Sequence, residues 1–195
     1  MGRPVGILGG TFDPVHNAHL AIGRRALEAL QPARILWVPT GAPPYRDPPV
    51  APAAHRVAML ALAIAGEPRY ALDERELAPE HSGFTVDTLI GLRAELGTQT
   101  RIYLLLGADQ YSKLDGWHRP DDLLKLCHIA VFARPGWSLG ADAAPRDRVT
   151  QVAMEPLAIS ASAIRAAIGR GEDVAALLPG PVLQYIRRHH LYGHP

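Results

Sequence analysis

The 195-residue chain has little cysteine, little lysine and almost no excess of either charge. One cysteine, Cys127, excludes an intrachain disulfide and a thiolate metal cage. Lysine occurs only as Lys113 and Lys125, and 20 basic against 19 acidic residues leave a net charge of +1. That balance lacks the clearly basic face duplex nucleic acid demands, so no nucleic-acid partner is expected. The longest apolar run, Val57–Gly66, is half a membrane span, and the apolar stretch near Met1 is too short for a signal peptide. A soluble, cytoplasmic protein with no membrane partner is the expectation. Hydrophobic content of 48% with 20% charged residues excludes bulk disorder and supplies a real core.

What is present is an alternation. Pro4–Leu8, Arg34–Val38, Tyr70–Leu72, Arg101–Leu106, His128–Ala133 and Val149–Met154 read as strands. Three of them are apolar almost throughout, as parallel strands covered on both faces are. Between them lie helical stripes: Leu20, Gly23, Leu27 and Leu30; Val57, Leu60, Ala61 and Ile64; Leu89, Leu92 and Leu96 after a start at Thr85. A helix over Ser160–Gly169 and a terminal helix carrying Val182, Leu183 and Ile186 follow, and Gly136–Arg148 reads as a surface loop. Strand–helix alternation predicts an α/β fold, a doubly wound parallel sheet in one domain over 1–195.

Chemistry concentrates in Gly9-Gly10-Thr11-Phe12-Asp13-Pro14-Val15-His16-Asn17-Ala18-His19. Two glycines at a strand's carboxyl end let backbone approach a bulky ligand, and the following N–H groups suit phosphate oxygens. Asp13 or Asn17 is suited to cap the next helix, with Pro14 at its first position in the former case. Either way His16 and His19 fall near a helix N-terminus, where anions are favoured and two imidazole donors can stabilise a transferring phosphoryl group. Neither a Walker loop nor G-x-G-x-x-G is present. His-x-x-His also suits zinc, but no Cys, Glu or third His stands nearby at ligand spacing, so no protein-held metal is expected. The plainer reading, two structural histidines, stays open at this point.

Two further places carry signal. Ser160 is a natural helix cap, and Ser162 and Arg165 share a face of that helix, so a hydroxyl and a guanidinium fork meet a second anion site. Trp117 follows Gly116 in a loop, where an indole either stacks on a planar ring or simply packs in the core. Gly10, Thr40, Gly107 and Arg134 each stand just past a predicted strand, the edge where open α/β sheets bind ligands.

Gly9–His19 resembles the G-T-F-D-P-x-H-x-G-H signature of the nucleotidylyltransferase superfamily, with Ala18 in place of the usual glycine. Further blocks follow in order and resemble the bacterial nicotinate-mononucleotide adenylyltransferases. They are Pro39–Arg46, Asp73–Leu77, Phe84–Leu89, Gly107–Asp109, Trp117, Arg134-Pro135-Gly136 and Ile159–Arg165. Thr40, Tyr45, Arg46 and Phe84 depart from the usual Asn, His, Lys and Tyr.

The resemblance implies a Rossmann-like nucleotidylyltransferase fold whose helical part, 159–195, completes the ATP site. It implies adenylyl transfer from ATP, with Mg²⁺ on the triphosphate, to nicotinate mononucleotide in NAD biosynthesis. His16, His19 and Arg165 would then act on the phosphates, with Gly9, Gly10, Thr11, Phe12, Gly107, Ser160 and Ser162 holding ATP. Thr40, Arg46, Thr85, Asp109, Trp117 and Arg134 would hold the acceptor, Trp117 against its pyridine ring and Thr85 near its carboxylate. The resemblance also permits a homodimer. Two alternatives stand beside it: transfer to another phosphorylated acceptor such as phosphopantetheine, and a non-catalytic nucleotide-sensing module.

Overall fold

The computed structural model describes residues 3–41, 47–133, 136, 146–155 and 157–193. Six strands form one sheet: β1 (Val5–Gly10), β2 (Arg34–Pro39), β3 (Tyr70–Leu72), β4 (Ile102–Gly107), β5 (His128–Ala133) and β6 (Val149–Ala153). All pairings are parallel, in the order β3-β2-β1-β4-β5-β6. The helices are α1 (Asn17–Leu30), α2 (Ala53–Ile64), α3 (Thr85–Leu96), α4 (Ala108–Tyr111), α5 (Pro120–Leu126), α6 (Ala161–Gly169) and α7 (Gly180–Arg188). The predicted doubly wound parallel sheet is therefore what the chain forms. The surface loop expected over 136–148 lies almost entirely outside the described residues.

Strand periodicity divides the core between the two faces of the sheet. Ile35, Trp37, Tyr103, Leu105, Ala130 and Phe132 face one layer, built with α1, α2, α6 and α7. Leu36, Val38, Ile102, Leu104, Ile129 and Val131 face the other, closed by α3 and α5. Ile164, Ile168, Val182 and Ile186 anchor the last two helices in the first layer, all of them buried. Each such side chain contributes about 1.5–3 kcal/mol, enough to fix α6 against the sheet edge.

Two helices differ from the sequence stripes in an informative way. In α1, Gly23 is needed because a Cβ there would stand 2.7 Å from the Trp37 ring and 2.8 Å from the Tyr70 hydroxyl. The stripe of α2 is rotated: Arg56, Met59, Leu60 and Ile64 are buried, while Ala61 is exposed and Val57 only half-buried. The displacement follows from Arg56, whose guanidinium has backbone carbonyls to meet on the inside.

Strand order reverses between β1 and β4, the switch point of the sheet. The ladder between them runs only from Val5↔Ile102 to Ile7↔Leu104. Beyond it Leu8, Gly9 and Gly10 of β1 pair with β2 alone, and Leu105 to Gly107 pair with β5 alone. The two carboxyl ends separate there and open a crevice, as the position of a switch point requires.

Candidate active site

The crevice is a cavity of about 1000 Å³, at the upper end of small-molecule sites. Every described residue expected at the site lines it: Gly9, Gly10, Thr11, Phe12, His16, His19 and Thr40 from the β1 and β2 ends. Thr85, Gly107, Asp109 and Trp117 line it from the α3, β4 and α4 side, and Ser160, Ser162 and Arg165 from α6. Arg46 and Arg134 lie outside the described residues, as does Tyr45.

The histidine end is built on a local rearrangement that the motif does not announce. Neither Asp13 nor Asn17 caps α1, correcting both expectations: the cap position is His16, in extended backbone. Asn17 is the first helical residue, and its side chain donates instead to the Ala176 carbonyl at 2.9 Å. The His16 N–H donates to His19 Nδ1 at 3.2 Å, and the two rings stack with centroids 3.7 Å apart. Because Nδ1 accepts, the neutral His19 carries its proton on Nε2. Phe12 supports the pair from below. Its ring meets His19 edge-on at 5.0 Å, fully buried, while its backbone takes a φ of 49°. A left-handed phenylalanine costs on the order of 1–3 kcal/mol, so the surrounding packing holds this turn in place.

Burial sets the protonation of the pair. It pushes His16 down to about 4, and it holds His19 well below the usual imidazole range, helped by the neighbouring His16. At neutral pH both rings are therefore uncharged hydrogen-bonding groups. His16 Nδ1 is buried and meets no hydrogen-bond partner among the described residues.

Asp13 and Arg56, which the sequence reading did not place at the site, join its parts. The Asp13 carboxylate accepts from the Val50 N–H at 2.7 Å, the Ala51 N–H at 3.1 Å and the Tyr192 hydroxyl at 2.7 Å. Its backbone carbonyl accepts from Arg165 Nη1 at 2.7 Å, which turns that guanidinium toward the β1 end. Arg56 Nη1 donates to the carbonyls of Thr11, at 2.7 Å, and Thr40, at 2.8 Å, tying the loops after β1 and β2 together. Partners separated by 37 to 179 residues leave no local signal for Asp13. At the start of α6, Ser160 does cap the helix, accepting from the Ala163 N–H at 3.3 Å, and its hydroxyl stands 3.3 Å from that of Ser162.

The opposite end draws on dispersed segments. Thr85 opens α3, Trp117 follows a short helical turn over Leu114–Gly116, and Asp109 lies in the first turn of α4, exposed to the cavity. Gly107 occupies the cap position of α4. Glu76 and Thr88 also line this end and are buried; they fall inside the Asp73–Leu77 and Phe84–Leu89 blocks, which assign them no role. Among the described residues no group of three or more His, Cys, Asp or Glu side chains is placed to hold a metal ion. No described helix is long and apolar enough to cross a membrane.

A parallel sheet with a deep cavity at its switch point, glycine backbone on one side and a capped helix start on the other, defines a nucleotide-binding α/β protein. The cytidylyltransferase-like family model matches residues 7–167. The "Probable nicotinate-nucleotide adenylyltransferase" of Laribacter hongkongensis is 43% identical, over 96% of this chain and 94% of its own length. The protein of the same name in Pseudomonas paraeruginosa is 38% identical over the whole of both chains. The solved structure of Plasmodium falciparum nicotinic acid mononucleotide adenylyltransferase complexed with APC superposes with a TM-score of 0.81 at 18% identity. That match covers 100% of this chain and 99% of the other and bears on the fold. The chain thus belongs to the cytidylyltransferase-like family and, within it, to the nicotinate-nucleotide adenylyltransferases, which are nucleotidyltransferase enzymes.

Proposed function

We propose that this chain transfers the adenylyl group of magnesium-bound ATP to the 5′-phosphate of nicotinate mononucleotide, a step of NAD biosynthesis. A phosphate oxygen of the acceptor bonds to the α-phosphorus, the bond from that phosphorus to the bridging oxygen breaks, and pyrophosphate leaves with the electron pair. The products are nicotinate adenine dinucleotide and pyrophosphate. The acceptor phosphate is anionic at neutral pH, so no general base is required. Catalysis is then positioning and charge stabilisation, with no covalent enzyme intermediate.

The observation that carries this reading is the convergence of His16, His19 and the Ser160–Arg165 helix start on one cavity with Thr85 and Trp117. His16 and His19 serve the α- and neighbouring phosphates as neutral donors, with Arg165, Ser160 and Ser162 on the departing pyrophosphate. Gly9, Gly10, Thr11 and Phe12 line the nucleotide through backbone, with Gly107 at the facing strand end. Trp117 stacks on the pyridine ring, Thr85 faces its carboxylate, and Asp109 and Thr40 lie beside the ribose and phosphate of the acceptor. Arg46 and Arg134 complete the acceptor set. The magnesium ion arrives with ATP as part of the substrate, held by phosphate oxygens and water. We read the chain as one cytoplasmic domain in which 159–195 completes the ATP end. The homodimer that the resemblance permits is decided by sedimentation.

The test is pyrophosphate release with Mg²⁺-ATP and each of three acceptors: nicotinate mononucleotide, nicotinamide mononucleotide and phosphopantetheine. Preference for the first supports the reading. Release only with phosphopantetheine overturns the acceptor and keeps the class, and silence with all three points to a nucleotide-binding module.

A further inference from the structure

At the acceptor end a chain of hydrogen bonds has a direction fixed by its donors. The Gly83 N–H donates to His81 Nδ1 at 3.0 Å, so a neutral His81 carries its proton on Nε2. That nitrogen stands 3.3 Å from Thr88 Oγ1, and the Thr88 hydroxyl donates to Glu76 Oε1 at 2.6 Å. Oε1 is therefore occupied by the threonine proton, and Oε2 is the oxygen left to carry a proton of its own. Thr88 and Glu76 are both more than nine-tenths buried, and both line the cavity. Thr85 lies three residues before Thr88 on the same face of α3, about 4.5 Å along the helix. Thr88, whose hydroxyl holds the Glu76 carboxyl, thus stands one helical turn from Thr85, the residue read above as facing the acceptor's own carboxylate.

We propose that Glu76, oriented by Thr88 and His81, sets the preference of this site for an acceptor bearing a pyridine carboxylate over one bearing a carboxamide. The inference rests on the reading of Thr85 and Trp117 given under the proposed function. In the acid form Glu76 donates its Oε2 proton to the anionic carboxylate, a charge-assisted hydrogen bond stronger than a neutral one. In the ionised form it repels the carboxylate and accepts from the carboxamide N–H. Burial raises Glu76 to about 7, so both forms are sampled near neutrality.

The charged surroundings of Glu76 fit that balance. Asp73 raises its titration and Arg75 lowers it, but Arg75 is bound to Asp73 and, from α3, to Glu95. Asp87 of α3 is engaged by the Ser82 hydroxyl, His81 acts through Thr88, and Asp109 lines the same cavity from α4. No cation among these neighbours pairs directly with the Glu76 carboxyl.

The test is the ratio of kcat/KM for nicotinate mononucleotide to that for nicotinamide mononucleotide between pH 6 and 8.5, by pyrophosphate release. Titration of the acceptor phosphate and of ATP affects both acceptors alike and cancels in the ratio. The wild-type ratio is expected to fall about tenfold or more across this range as Glu76 ionises. Glu76→Gln, a neutral isostere, is expected to give a ratio that does not change with pH. Thr88→Val, which severs Glu76 from His81, is expected to shift the midpoint. Thermal melts confirm that both variants fold. A flat wild-type ratio, or a Glu76→Gln ratio that keeps the wild-type slope, overturns the assignment while leaving the adenylyl-transfer reading intact. Absence of release with either acceptor overturns that reading and this one with it.

Discussion

The two ends of the cavity are built in opposite ways. The end we assign to the phosphates comes from one eleven-residue stretch, Gly9 to His19, joined by one helix start at Ser160. The end we assign to the acceptor is gathered from the loop after β2, the turn holding Glu76, the first turns of α3, the end of β4 and the loop at Trp117. Their titratable groups also move in opposite directions. Burial lowers His16 and His19 and raises Glu76, so at both ends it disfavours the charged form of these groups. At His16, His19 and Glu76 the cavity therefore offers hydrogen bonds from groups whose charge burial disfavours, beside the guanidinium of Arg165. An electrostatic site of this kind works by preorganisation, since its dipoles are already aimed when charge moves.

If the ends divide the work in this way, mutations at each should leave different kinetic marks. The largest effect is expected for His19→Ala: kcat falls by about 10²–10³ while the KM for the acceptor stays within about twofold, measured by pyrophosphate release. Wild-type turnover would remove His19 from the chemistry. Trp117→Ala should act on the other side only, raising the acceptor KM by about three- to tenfold with the KM for ATP unchanged, from the ~0.5–1.5 kcal/mol of an aromatic stack. An equal change in both constants would erase the division. The smallest effect belongs to the joint between the ends. Tyr192→Phe removes one of the donors to Asp13 and should cost about 1 kcal/mol of stability in urea unfolding, with a modest rise in the KM for ATP through Arg165. Unchanged stability would mean the C-terminal hydroxyl is idle.

This difference in construction also explains what was legible from the residues. The apolar runs of β2, β4 and β5 state a parallel sheet directly, and the Gly-Gly, His-x-x-His and Ser-x-Ser-x-x-Arg groups are short enough to read in place. Asp13 looked like a helix cap because Asp-Pro before a helical stripe suits one. Its carboxylate is instead claimed by Val50, Ala51 and Tyr192, and the cap passes to His16. Arg56 carries no signal for a related reason: helical periodicity treats arginine as outward, and the Thr11 and Thr40 carbonyls, with the Asp13 carboxylate nearby, make its burial favourable. Glu76 falls inside the Asp73–Leu77 block, but nothing in that block announces that Thr88, twelve residues on, holds its carboxyl. Tertiary partners decide each of these, and local spacing does not encode them.

The central claim is direct transfer between two substrates bound at the two ends, without an adenylylated enzyme. A single-turnover experiment with enzyme in excess over Mg²⁺-ATP labelled at the α-phosphorus tests it, run with and without nicotinate mononucleotide. Without the acceptor, no pyrophosphate and no protein-bound label are expected. With it, dinucleotide and pyrophosphate should appear in equal amounts at the same rate. Pyrophosphate release and labelled protein in the absence of the acceptor would contradict it.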